Sequence, residues 1–139
     1  MSLLPLSAPD IFLYAIAAAA ILIYVPYLLV ALGRAQVGYD ISAPRAMFDK
    51  LPAYAQRATW AHQNSFEAFM IFAAAALMAY VTGVNSQSGV LAAIAFVIAR
   101  LLYSVFYITN IPILRSLMFG IASFGSGTLF YLSIIQVQG

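Results

Sequence analysis

Apolar residues run along this chain in four long stretches, each closed by polar, glycine or proline residues. They cover Ile11 to Gly33, Tyr54 to Thr82, Gly89 to Thr109 and Leu114 to Gln136, and the first contains no charged residue before its end. About 20 apolar residues cross a bilayer as a helix, and none of the four alternates with the period of two that a barrel strand requires. Backbone groups in lipid must pair within their own segment. The pattern therefore predicts an all-α, integral membrane four-helix bundle, a single domain over residues 1–139.

The connections between these stretches differ in charge. The first carries Arg45 and Lys50 and is flanked by Arg34 and Arg57, whereas the second, TGVNSQSG, carries none. Excess Lys and Arg mark the cytoplasmic side, so the first connection, and the third beside Arg115, are expected in the cytoplasm with both termini outside. Met1 to Asp10 lacks a basic residue, and the run that follows outlasts the roughly 7 to 15 apolar residues of a cleaved signal. The first span is expected to stay, and the absence of a targeting segment points to a bacterial inner membrane.

Composition narrows the chemistry. Six basic and four acidic residues give a net charge of +2, which on so apolar a chain reports membrane topology and gives no reason to expect a nucleic-acid partner. The chain has no cysteine and one histidine, so neither a thiolate nor a dedicated metal site is expected. On the fourth span Gly120, Ser123 and Gly127 recur at helical spacing. This small-residue stripe is read as packing within the bundle, with a subunit contact as the alternative. Pro26 removes one internal hydrogen bond and is expected to bend the first helix.

Two ionisable residues lie deep within spans. Glu67 is ten residues from Arg57 and Arg100 is ten residues from Asn110, which places both about 15 Å along their helices. An unpaired charge there costs at least about 2.5 kcal/mol, so Glu67 and Arg100 are expected to form a structural ion pair, within or between subunits. Trp60, Gln63, Asn64 and Glu67 share one helix face, and Arg100, Tyr103 and Tyr107 share another. Facing each other, these stripes would line a polar pocket suited to a small zwitterion, because a carboxylate holds ammonium groups while amides, phenols and guanidinium hold carboxylates. Arg57 reads as an interfacial anchor, and His62, well round the helix from Glu67, as a packing residue.

Two runs carry a family resemblance: RATWAHQNSFEAF on the second helix, and ARLLYSVFYITNIPILRS across the third helix and the start of the fourth. Together, in this order and in a chain of four spans, they resemble the membrane-associated proteins in eicosanoid and glutathione metabolism. The resemblance implies a homotrimer with glutathione as co-substrate, held between subunits and open to the cytoplasm, and a lipophilic small-molecule substrate arriving from the membrane lipids. It further implies that Arg34, Gln63, Asn64, Glu67, Tyr103 and Tyr107 bind glutathione, and that Arg115 stabilises the thiolate beside Ser116. Gln63 stands where the best-known members often have a basic or other residue.

The activity expected on this basis is a glutathione-dependent transferase or peroxidase acting on lipophilic electrophiles or hydroperoxides. The alternative is a non-catalytic membrane binding or scaffold protein of the same fold, taking another thiol or a lipid. A small proton-coupled exporter is a third class, disfavoured because its membrane carboxylate would be expected to lack a cation at matching depth.

Overall fold

The computed structural model describes residues 5–139, which form four long helices with no strand among them. Helix α1 covers Ala8–Gln36, α2 Ala53–Thr82, α3 Gln87–Ile108 and α4 Pro112–Gln138. All four are long and apolar enough to cross a membrane, and their ends fall within three residues of the apolar runs.

Local chemistry sets those ends. Ser7 accepts from the Asp10 amide at 3.4 Å while the Asp10 carboxylate accepts from the Ser7 amide at 3.1 Å, a reciprocal cap for the exposed donors that open α1. Gly83, at φ +76°, closes α2 in the left-handed conformation that a residue without Cβ adopts freely. Ser86 then opens α3 by accepting from the Gly89 amide at 3.2 Å. The first connection holds a 3-10 helix, Pro44–Lys50, that the apolar pattern does not reveal. Asp40 folds the chain into it by accepting from the Ser42 and Ala43 amides at 3.0 and 3.3 Å, and Met47 anchors it by burial.

Helix α1 packs chiefly on α2, and α3 on α4, with α2 also meeting α4. The seams between them are built largely from alanine, including Ala19, Ala75, Ala76, Ala79 and Ala93, around a Phe72–Phe96 stack with ring centroids 3.8 Å apart. Large apolar side chains point outward instead: Ile21, Leu28 and Phe124 are each more than two-thirds exposed. This is the arrangement lipid favours, since burying Leu against protein gains little over burying it in acyl chains, whereas small residues let backbones approach. One such approach is at Gly125, where a Cβ would lie 2.8 Å from the Ala92 carbonyl oxygen.

The small-residue stripe expected to pack within the bundle does not do so. Gly120, Ser123 and Gly127 are exposed, and a Cβ on either glycine would meet nothing within 4 Å. The buried face of α4 is the neighbouring one, formed by Ala122, Gly125, Ser126, Leu129 and Ser133. Helix α1 continues through Pro26, which is itself buried.

Candidate functional site

Where α2 begins and α3 ends, Trp60, Gln63, Asn64 and Glu67 from α2 meet Tyr103 and Tyr107 from α3 around an open pocket of about 410 Å³. The volume lies within the roughly 300–1,000 Å³ of small-molecule sites. Helical spacing puts the α2 residues on one side of their helix, and the antiparallel course of α3 brings the two tyrosines opposite them. Asn64 donates through Nδ2 to the Glu67 carboxylate at 3.2 Å, which fixes the amide and carboxylate relative to one another. The two tyrosine rings meet edge to face at 5.6 Å, and Trp60 lies 6.3 Å from Tyr107. The lining therefore offers a carboxylate, two amides and two phenols.

Arg57 closes the junction below this pocket. Its Nε donates to the Ile108 carbonyl at 3.0 Å, satisfying one of the acceptors left free at the end of α3 and tying that end to the start of α2. Its role is thus a specific helix-to-helix tie.

The Glu67–Arg100 ion pair expected from matched depth is not formed within this chain. Among the described residues no carboxylate oxygen lies within 4.0 Å of a basic nitrogen. Arg100 is buried, donates through Nη2 to Ser65 Oγ at 3.4 Å and lies 3.9 Å over the Tyr103 ring. Equal height along two helices does not fix the direction of two side chains, and the Tyr103 ring face has captured the guanidinium. Ser65 is a site residue that pattern reading missed. Its signal is a small hydroxyl residue on the buried side of α2, in register with Ala58, Ala61 and Phe72.

The remaining residues fall into three places. Arg115 reaches the edge of the pocket, with its guanidinium 4.7 Å over the Tyr107 ring. Ser116 is exposed on the first turns of α4. Arg34 lies across α2 in a separate cavity of about 540 Å³, which His62 and Gln63 also line. Gln63 alone among these residues borders both cavities. His62 donates through Nδ1 to the Ile23 carbonyl at 2.7 Å and packs among Tyr24, Tyr27 and Phe66, so it serves as a packing residue with one defined hydrogen bond.

A second, lateral groove of about 320 Å³ opens between α2 and α4 and shares Asn64 and Glu67 with the open pocket. It continues past Arg100 and Phe96 to Ile71 and Phe130, away from the polar end.

Comparison with known proteins adds one finding. The family model described as MAPEG family matches residues 11–135, from within α1 to within α4. No curated protein and no solved structure matches the chain.

Proposed function

Because the chain belongs to the MAPEG family and has four membrane-spanning helices, we propose that it is a membrane-bound glutathione-dependent transferase or peroxidase, acting on lipophilic electrophiles or hydroperoxides. Members of the family use glutathione. The observation that carries the reading for this chain is the pocket in which Asn64, Glu67, Tyr103 and Tyr107 converge.

Glu67 accepts the glutathione amino group, and Gln63 and Asn64 bind its peptide and carboxylate groups. Trp60 and the tyrosines wall the pocket from lipid and donate phenolic hydrogen bonds. Arg115 supplies the cation that favours thiolate over thiol; a free thiol has a pKa near about 8.5, and a neighbouring guanidinium lowers it. Ser116 stands beside Arg115 as a second donor at the thiolate end. The thiolate displaces a leaving group from carbon, which departs with its bonding pair, or takes the terminal oxygen of a hydroperoxide, releasing the alcohol, with a second thiol giving disulfide and water.

Arg34 lines a cavity separate from the open pocket, with Gln63 bordering both. This separation supports a homotrimer in which the Arg34 cavity of one copy faces the pocket of the next and Arg34 and Glu67 serve one site between subunits. The first and third connections lie in the cytoplasm of a bacterial inner membrane, so the pocket opens toward the soluble co-substrate.

Saturable glutathione binding by the purified protein, weakened in Glu67→Gln, is the expected result of isothermal titration. No heat at millimolar glutathione would overturn the reading. One observation favours a second reading: Arg115 rests on Tyr107 and outside the lining of the pocket, as in a binding protein that does not ionise the thiol. Thiolate absorbance on mixing with glutathione separates the two, since a scaffold gives binding without it.

A further inference from the structure

The cavity of about 540 Å³ lined by Arg34 contains a second cation, Arg45, to which the thiol site as described gives no role. Tyr27, Thr59, His62 and Gln63 supply its uncharged polar lining, and among the described residues no carboxylate borders it. Arg34 is 9% exposed, and its Nε has no hydrogen-bond partner. A guanidinium taken from water without a counter-charge is costly, and its planar fork of donors matches a carboxylate. Arg45 is exposed, so its charge stays hydrated until an anion arrives.

The backbone that carries Arg45 is held in place. It belongs to the Pro44–Lys50 helix, where Met47 is buried, Phe48 packs 5.6 Å from Trp60, and the Phe48 carbonyl accepts from Gln56 Nε2 at 3.2 Å. These contacts fasten the first connection to α2, while Arg34 comes from the last turn of α1. Two separate elements thus bring two guanidinium-bearing residues to one cavity.

The open pocket has the opposite electrostatics, with Glu67 the one charged residue in its lining. Glutathione carries one ammonium and two carboxylates at neutral pH. Its glutamyl carboxylate shares a carbon with the ammonium that Glu67 accepts, and so stays beside the amides of Gln63 and Asn64. Its glycyl carboxylate, about 10 Å away at the other end of an extended tripeptide, finds no cation in that lining. We propose that Arg45 is a specificity residue: with Arg34 it clamps the glycyl carboxylate across the subunit boundary, so that the site selects thiols bearing a carboxylate at each end. The inference rests on the glutathione reading and on the facing of the two cavities between copies.

The test titrates full-length protein in phosphatidylcholine nanodiscs with glutathione and with glutathione ethyl ester, whose glycyl carboxylate is blocked. The unaltered protein is expected to bind glutathione about tenfold more tightly than the ester, as one charge-assisted contact provides. Arg45→Gln, a change at an exposed position, is expected to remove most of that preference by weakening glutathione, leaving the ester within about twofold of its original affinity. Arg45→Lys should recover part of the loss, and this recovery decides if the ester binds too weakly to titrate. Equal weakening of both ligands by Arg45→Gln, or glutathione affinity unchanged in it, would overturn the proposal. An anionic lipid headgroup is the competing occupant: glutathione affinity that falls when phosphatidylglycerol replaces phosphatidylcholine, and is restored by Arg45→Gln, overturns the proposal in its favour. No heat with either ligand defeats the thiol reading and this inference together, whereas glutathione binding that tolerates Arg45→Gln defeats only the role of Arg45.

Discussion

His62 Nδ1 donates to the Ile23 carbonyl at 2.7 Å, joining α2 to α1 less than one turn before Pro26. The chain's only histidine is thereby committed to holding two helices together close to the point where Pro26 leaves α1 without one backbone donor.

Replacing His62 with Phe keeps the ring among Tyr24, Tyr27 and Phe66 but removes the donor. The Ile23 carbonyl loses its side-chain partner but stays within the helix, with an expected loss of about 0.5–1.5 kcal/mol. Thermal unfolding in detergent should show a lower midpoint for His62→Phe, and His62→Gln should recover part of it.

Arg100 sits on Tyr103 and does not reach Glu67. In double-mutant cycles of stability, Arg100→Met with Tyr103→Leu should couple by about 1–2 kcal/mol, as a desolvated cation over an aromatic face does. Arg100→Met with Glu67→Gln should couple by less than about half of that. A larger Glu67 coupling would show that the two charges pair in the assembled protein.

Two glycines of α4 should respond in opposite ways to a methyl group. Gly125→Ala places its Cβ against the Ala92 carbonyl oxygen and should destabilise the bundle by about 1–3 kcal/mol. Gly120→Ala meets open space and should be neutral or slightly stabilising, because alanine is the better helix former by about 1 kcal/mol. Unfolding of the two variants side by side is the measurement, and a destabilised Gly120→Ala would reveal a contact between subunits on that face.

Arg115→Gln should leave glutathione affinity near that of the unaltered protein while lowering kcat/KM at least tenfold, a change of about 1.36 kcal/mol in the barrier. Steady-state kinetics with a lipophilic chlorinated aromatic electrophile, beside a binding isotherm, distinguishes this from a lost binding residue, which would weaken both.

The four helices were legible because each apolar run exceeds the span of a bilayer and ends in residues with a clear backbone meaning, such as Ser86 and Gly83. Asn64, Glu67, Tyr103 and Tyr107 could be grouped because spacing of three and four residues fixes which side of a helix a residue occupies. Spacing does not fix rotamers, which is why Arg100 was matched with Glu67 and found with Tyr103 and Ser65. On α4 two sets of small residues with helical spacing lie side by side, and periodicity alone could not tell the buried set at Ala122, Gly125 and Ser126 from the open one at Gly120, Ser123 and Gly127. The Pro44–Lys50 helix was hidden in a polar connection because its apolar anchors, buried Met47 and Phe48 packed on Trp60, are adjacent and form no period.

The alanine seams carry a thermodynamic consequence. A buried alanine gives up no rotamer freedom, whereas an immobilised leucine or isoleucine loses about 0.5–1 kcal/mol. By lining its contacts with Ala19, Ala75, Ala76, Ala79 and Ala93 and turning Ile21, Leu28 and Phe124 outward, the chain brings its helices together through side chains with no motion to lose. The side chains that can move keep their disorder in the fluid around them.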